Sequence, residues 1–82
     1  MTDVTVRYFA AAADAAGLEH EVLAFDSAPT LGDLHDRLLA SYGDAMARVL
    51  RSGSFLIDGT VSRDRTQSVS GGVDVLPQFA GG

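Results

Sequence analysis

The chain has 82 residues, 46% of them hydrophobic, and no cysteine. That describes one domain with a thin core, too apolar for disorder and without a disulfide or a Cys-based metal site. The net charge is −5 and all six basic residues are arginine; without a basic patch the chain is not suited to nucleic acid, while its acidity suits a positively charged protein partner or simply solubility.

No uncharged apolar run approaches the ~18 residues of a membrane span. The alanine-rich opening carries Asp3 and Asp14, where a signal peptide needs a positive start and a longer apolar stretch. The expected location is the cytoplasm.

In chain order, "TDVTVRYFA" alternates, with Val4, Val6 and Tyr8 opposite Thr5, Arg7 and Phe9, and reads as a strand. "AAADAAG" predicts one or two helical turns closed by Gly17. "LEHEVLAF" is extended again, with Glu19, Glu21, Leu23 and Phe25 on one face. The two strands form a hairpin-like pair joined by a short helical loop. "DSAPT" is a loop that ends on Thr30, an N-cap with Asp33 standing in for the usual Glu of a capping box. Leu31, Leu34, Leu38 and Tyr42 then recur at helical spacing, with Leu39 widening the stripe, until Gly43 stops the helix. "DAMARVLRSG" predicts a second short helix ended by Gly53. "SFLID" is a brief strand and Asp58-Gly59 a hairpin turn. "TVSRDRTQSV" reads as polar loop with one short edge strand. After the "SGG" turn, "VDVLPQF" is a last strand with Val73, Val75 and Phe79 inward. The order β-β-α-β-β has one amphipathic helix, enough to cover one face of a mixed four- to five-stranded sheet. The fold class is α+β, and residues 1–82 form a single domain.

Isolated chemistry is scarce. His20 and His35 stand fifteen residues apart, one on a strand and one on a helix flank, with no metal-site spacing around them. No G-x-S-x-G elbow is present, and "SVSGGVD" lacks the lysine of a phosphate loop and reads as a turn. Asp58 and Asp64 either pair across the hairpin or sit in solvated loop. A chain of this size has little room for an ordinary ligand pocket. Neither a bound cofactor nor a metal is expected, and nothing here makes an enzyme on its own.

The end of the sequence, "LPQFAGG", is different. Pro77 cannot donate a ladder hydrogen bond, so pairing should weaken there. Gly81 and Gly82 can thread a channel too narrow for any Cβ. Their carboxylate is ionised at neutral pH and is a poor electrophile until activated. The tail from about residue 79 onward offers its own domain little to dock except Phe79, and is expected to be flexible until a partner holds it.

The opening "VTVRYFAAAADAAG", the helix "TLGDLHDRLLASYG", the strand "SFLIDG" and the ending "GGVDVLPQFAGG" together resemble the ubiquitin-like sulfur carriers. That family includes the small subunit of molybdopterin synthase, to which the opening and the ending are most similar, and the thiamine-pathway carrier. The resemblance covers nearly the whole length and implies a β-grasp fold. It implies that Gly82 is adenylated by an E1-like enzyme at the expense of ATP and converted to a thiocarboxylate with a persulfide sulfur donor. Gly81 would be its obligatory small neighbour, with Ala80, Phe79 and Pro77 completing the segment that enters a partner's channel. The partner it implies is the large subunit of molybdopterin synthase, where the sulfur would go to a cyclic pterin phosphate. The chain would then be a co-substrate and subunit rather than the catalyst. The family often has a second proline where Gln78 stands, a small or β-branched residue where Phe79 stands, and an acidic pair where Val73-Asp74 follow Gly72. Those departures touch partner contact and leave open a carrier for cysteine, thiazole or tRNA thiolation; the separate alternatives are a ubiquitin-like protein modifier and a plain binding module with an idle tail. The absence of lysine and cysteine fits a chain that must not acylate itself, and fits equally an arginine-rich composition.

Overall fold

The alternation of the first strand sets the sheet. In the computed structural model, which describes residues 1–78, β1 (Thr2–Tyr8) buries Val4, Val6 and Tyr8 and exposes the residues between them. Ala10 then turns the chain into α1 (Ala11–Ala16), and Gly17 ends that helix in the left-handed region at φ 76°, ψ 14°. The chain returns as β2 (His20–Phe25), antiparallel to β1 with Val4 opposite Leu23 and Arg7 opposite His20. This is the expected strand pair with a helical link.

Helix α2 (Leu31–Tyr42) starts at the expected capping box. The Asp33 amide donates to the Thr30 hydroxyl at 3.2 Å, and the Thr30 amide donates to the Asp33 carboxylate at 2.9 Å. Two of the four donors that a helix start leaves orphaned are thereby satisfied. Leu31, Leu34 and Leu38 are buried as their spacing predicts, the last two at 0% exposure. Gly43, at φ 68°, separates α2 from α3 (Asp44–Ser52), which buries Met46 and Val49.

Strands β3 (Ser54–Ile57) and β4 (Thr60–Ser62) form a hairpin whose two turn residues, Asp58 and Gly59, both take positive φ (51° and 80°). Left-handed values at both central positions match the twist of the flanking strands. The stretch from 62 to 70 is held down at its far end: Val69 is 1% exposed, and backbone bonds tie it to the start of α2 through Val69 to Pro29 and Leu31 to Gln67. The sequence reading treats this stretch as polar loop and gives no sign of Val69 as a core plug.

β5 (Gly71–Leu76) runs up the middle. It pairs parallel with β1 (Val6 opposite Val73, Tyr8 opposite Val75) and antiparallel with β3 (Phe55 opposite Val75). Among the described residues the sheet has five strands in the order β2-β1-β5-β3-β4. First and last strands are therefore central neighbours, and the helices cover one face. Val73 and Val75 are fully buried, as expected. No helix of the described residues is long and apolar enough to cross a membrane.

Candidate functional site: the root of the C-terminal tail

β5 delivers the chain to its final segment, so the geometry around Leu76 fixes where a tail would begin. On one flank the Phe9 amide donates to the Val75 carbonyl at 3.2 Å, extending the β1 contact past the strand. On the other flank Ser54 pairs with Leu76. Strand pairing stops at Leu76, and Pro77, half-buried, follows outside the strand. Its missing N–H is one physical reason for the stop.

Two close fits hold the root. A Cβ on Gly53 would overlap the Leu76 carbonyl oxygen and lie 2.7 Å from the Val49 carbonyl oxygen. Gly53 has ordinary extended φ and ψ (−86°, −165°). The glycine is required by this approach and not by its dihedrals. On the outer face of the sheet, Arg7 donates to both carboxylate oxygens of Asp74, at 2.7 and 2.9 Å. This two-pronged pair links β1 to β5 two residues before the strand ends. The Asp74 side chain is only 13% exposed, against 61% for Arg7. The Arg7 guanidinium also lies 5.7 Å from the ring centre of Phe9.

Ala10 follows Phe9 at φ 50°, ψ −121°. A non-glycine residue at such angles is strained and persists only where surrounding contacts impose it. With Phe9 and Ala13 it borders a shallow depression of about 420 Å³. Phe9 itself remains 39% exposed.

Of the residues the sequence reading assigns to the site, Pro77 stands at this root. Phe79, Ala80, Gly81 and Gly82, the inward placement of Phe79 and the expected flexibility of the tail all lie outside the described residues. The other candidates are dispersed. His20 is exposed on β2. The His35 ring sits 3.2 Å from Asp36 and 3.3 Å from Arg65. The Asp64 carboxylate accepts from the amide and hydroxyl of Thr66, at 2.9 and 2.7 Å. Those bonds hold its carboxyl below the usual carboxylate range, so Asp64 shapes its own turn and does not pair with Asp58. Sequence reasoning missed the roles of Gly53, Asp74 and Ala10. Asp74 alone carried a signal, as a lone acidic residue between two core valines.

No protein-family model and no curated protein sequence matches the chain. Solved structures do. A putative molybdopterin converting factor, subunit 1, from Pyrococcus furiosus superposes with a TM-score of 0.81 at 18% identity, covering 96% of this chain and 100% of that one. The chain has the β-grasp fold. SAMP1 from Haloferax volcanii gives 0.79 at 21% identity, covering 98% and 99%. The small archaeal modifier protein 1 of Methanosarcina acetivorans gives 0.76 at 23% identity, covering 100% and 98%. These β-grasp neighbours agree with the resemblance read from the sequence. At such identities the agreement is one of fold, and chemistry has to be argued from the site.

Proposed function

We propose that the chain is a ubiquitin-like sulfur carrier that works through Gly82, as the small subunit of molybdopterin synthase. The observation that carries the reading is a β5 strand fixed on both flanks, by Gly53 against Leu76 and by Arg7 on Asp74, leading through Pro77 to Phe79-Ala80-Gly81-Gly82. A reactive end has to be positioned to within about an ångström for near-attack geometry, and a short tail can be so placed only from a rigid root.

In this reading the Gly82 carboxylate attacks the α-phosphorus of ATP on an adenylating partner. Pyrophosphate leaves and an acyl-adenylate forms. The terminal sulfur of a persulfide donor then attacks the carbonyl carbon and AMP leaves. Reduction of the resulting acyl disulfide by a thiol frees the thiocarboxylate. A large catalytic subunit accepts the tail and passes the sulfur to a cyclic pterin phosphate, in two rounds. Its basic residues complement the −5 charge of this chain. A chain without lysine or cysteine offers its own acyl-adenylate no side-chain amine or thiol.

A second reading has a specific support: solved neighbours from Haloferax volcanii and Methanosarcina acetivorans bear the name SAMP1 or small archaeal modifier protein 1. In a modifier, the same adenylate is captured by a lysine amine of another protein. Intact-mass analysis of the protein isolated from its own cells decides between them. A single species in which sulfur replaces one oxygen supports the carrier, and a ladder of larger conjugates supports the modifier.

A further inference from the structure

One cavity on the surface of the described residues has a chemistry of its own. It measures about 180 Å³, with Leu31, Leu50 and Phe55 among its lining residues together with Arg51, Arg63 and Arg65. Gly53, the residue pressed against the Leu76 carbonyl, also lines it. Three of the six arginines of a chain with net charge −5 thus meet at one place beside the tail root, a small basic cluster where the sequence reading expected no basic patch, because Arg51 and the Arg63–Arg65 stretch come together only in the fold.

These arginines differ in what they already hold. Arg65 is committed to Asp36, donating to both carboxylate oxygens at 3.2 Å. Among the described residues Arg63 donates only to the Ser52 carbonyl, at 3.5 Å. Among the described residues no ion pair involves Arg51 or Arg63, whereas Arg7 and Arg65 each have a carboxylate partner. Arg37 is used internally too, bonding the Ala24 carbonyl and lying over Phe25. Arg51 and Arg63 are therefore two cations left available in a lining that is part polar and part apolar.

Size and polarity choose the occupant. At about 180 Å³ the cavity falls well short of the roughly 300–1,000 Å³ of a small-molecule site. It is the scale of one large side chain. A bare phosphate could pair with the arginines but would leave the apolar part of the lining, Leu31, Leu50 and Phe55, unfilled, and an apolar side chain alone would leave Arg51 and Arg63 without an anion. We propose that the cavity receives an acidic segment of a partner protein. One large apolar side chain of that segment fills the cavity, and flanking Asp or Glu carboxylates pair with Arg51 and Arg63. Because Gly53 is shared between this cavity and the tail root, a partner held here grips the domain next to the place where its tail departs. A partner acidic along its whole surface would be repelled by the −5 charge, so the site selects a local acidic cluster. The inference holds whether or not Gly82 carries sulfur.

The test is a titration of the isotope-labelled full chain, followed by its backbone amide resonances. The probe is the capped peptide Ser-Glu-Asp-Phe-Glu-Asp-Ser. The expected result is a set of shifts confined to the cavity walls around Leu50, Arg51, Gly53, Phe55 and Arg63, saturating at millimolar peptide. Binding should weaken about tenfold in Arg51→Ser/Arg63→Ser, the equivalent of losing two exposed charge pairs. It should also be lost when serine replaces the peptide's phenylalanine. Both arginines are surface residues, and unchanged spectra elsewhere report that the variant is folded. Shifts that are absent or scattered over the surface, or binding that the double variant does not weaken, overturn the proposal. Inorganic phosphate reproducing the same shifts overturns it in favour of a simple anion site.

Discussion

Gly53 and Leu76 approach so closely that a single methyl group on the glycine would overlap the Leu76 carbonyl oxygen. The contact joins the end of α3 to the end of β5, and the backbone on either side is committed to helix and sheet. Gly53→Ala should therefore cost about 1–3 kcal/mol, the usual penalty of forcing extra volume into a packed site. Gly72 is the control. It lies in β5 without positive φ, and the nearest atom to an added Cβ is the Thr5 carbonyl oxygen at 3.9 Å. Gly72→Ala should be neutral or stabilising by up to ~1 kcal/mol, since alanine restricts the unfolded chain. Denaturant midpoints of the two variants check the contrast, and equal effects would mean that Gly53 is not a contact glycine.

Ala10 holds angles that suit glycine, φ 50° and ψ −121°. Relieving strain of roughly 1–3 kcal/mol, against a glycine entropy cost of about 0.5–1 kcal/mol, leaves a net gain. Ala10→Gly should stabilise the fold by about 1 kcal/mol and raise Tm by roughly 4–8 °C for a domain of this size. A lower Tm would show that the Ala10 methyl group contributes more to the fold than its backbone angles cost.

Much of this architecture was legible in the sequence because it is local. Thr30 and Asp33 announced the capping box, Leu31, Leu34 and Leu38 the buried stripe, and Asp58-Gly59 the hairpin. The rest depends on pairings between distant positions. Arg7 and Asp74 are 67 residues apart, and no periodicity tells that β1 and β5 are parallel neighbours. Gly53 reads as a helix stop whether or not a carbonyl stands over it. Glu21 fell on the same face as Leu23, a costly place for a carboxylate unless it has partners. Its partners are Tyr8 and Tyr42, whose hydroxyls both donate to one Glu21 oxygen, that of Tyr8 at 2.5 Å, while their rings meet edge to face at 6.1 Å. Of the tail, the sequence supplied residue types and the fold supplied only the root.

That tyrosine pair gives a pH prediction. Burial first, and then the Glu21 carboxylate, raise both hydroxyls above the ordinary tyrosine value of 10.0. A group raised on folding contributes stability that is complete below the unfolded value and is lost as pH climbs towards the folded one. The fold should therefore lose stability as pH rises above 10, while its tyrosines ionise late. With two tyrosines in the chain, the ultraviolet absorbance of tyrosinate reports these two groups alone. Ionisation in the native protein should lag behind that in denaturant, and coincident curves would contradict the Tyr8–Glu21–Tyr42 arrangement.

The central claim is that a rigid root presents a reactive Gly82. Removing Gly82 would leave the terminus about 3.5 Å short, and Gly81→Val would put a branched side chain into the narrow channel that the proposed function requires of the partner. Neither position belongs to the described core, and melting curves are expected to match the parent. The decisive measurement is intact mass after incubation with an adenylating enzyme, ATP and a sulfur donor, followed by transfer to an acceptor. The account predicts that the parent chain exchanges one oxygen for sulfur and delivers it, while the Gly82-deleted chain, equally stable, delivers none. A deleted chain that still accepts and delivers sulfur would contradict it.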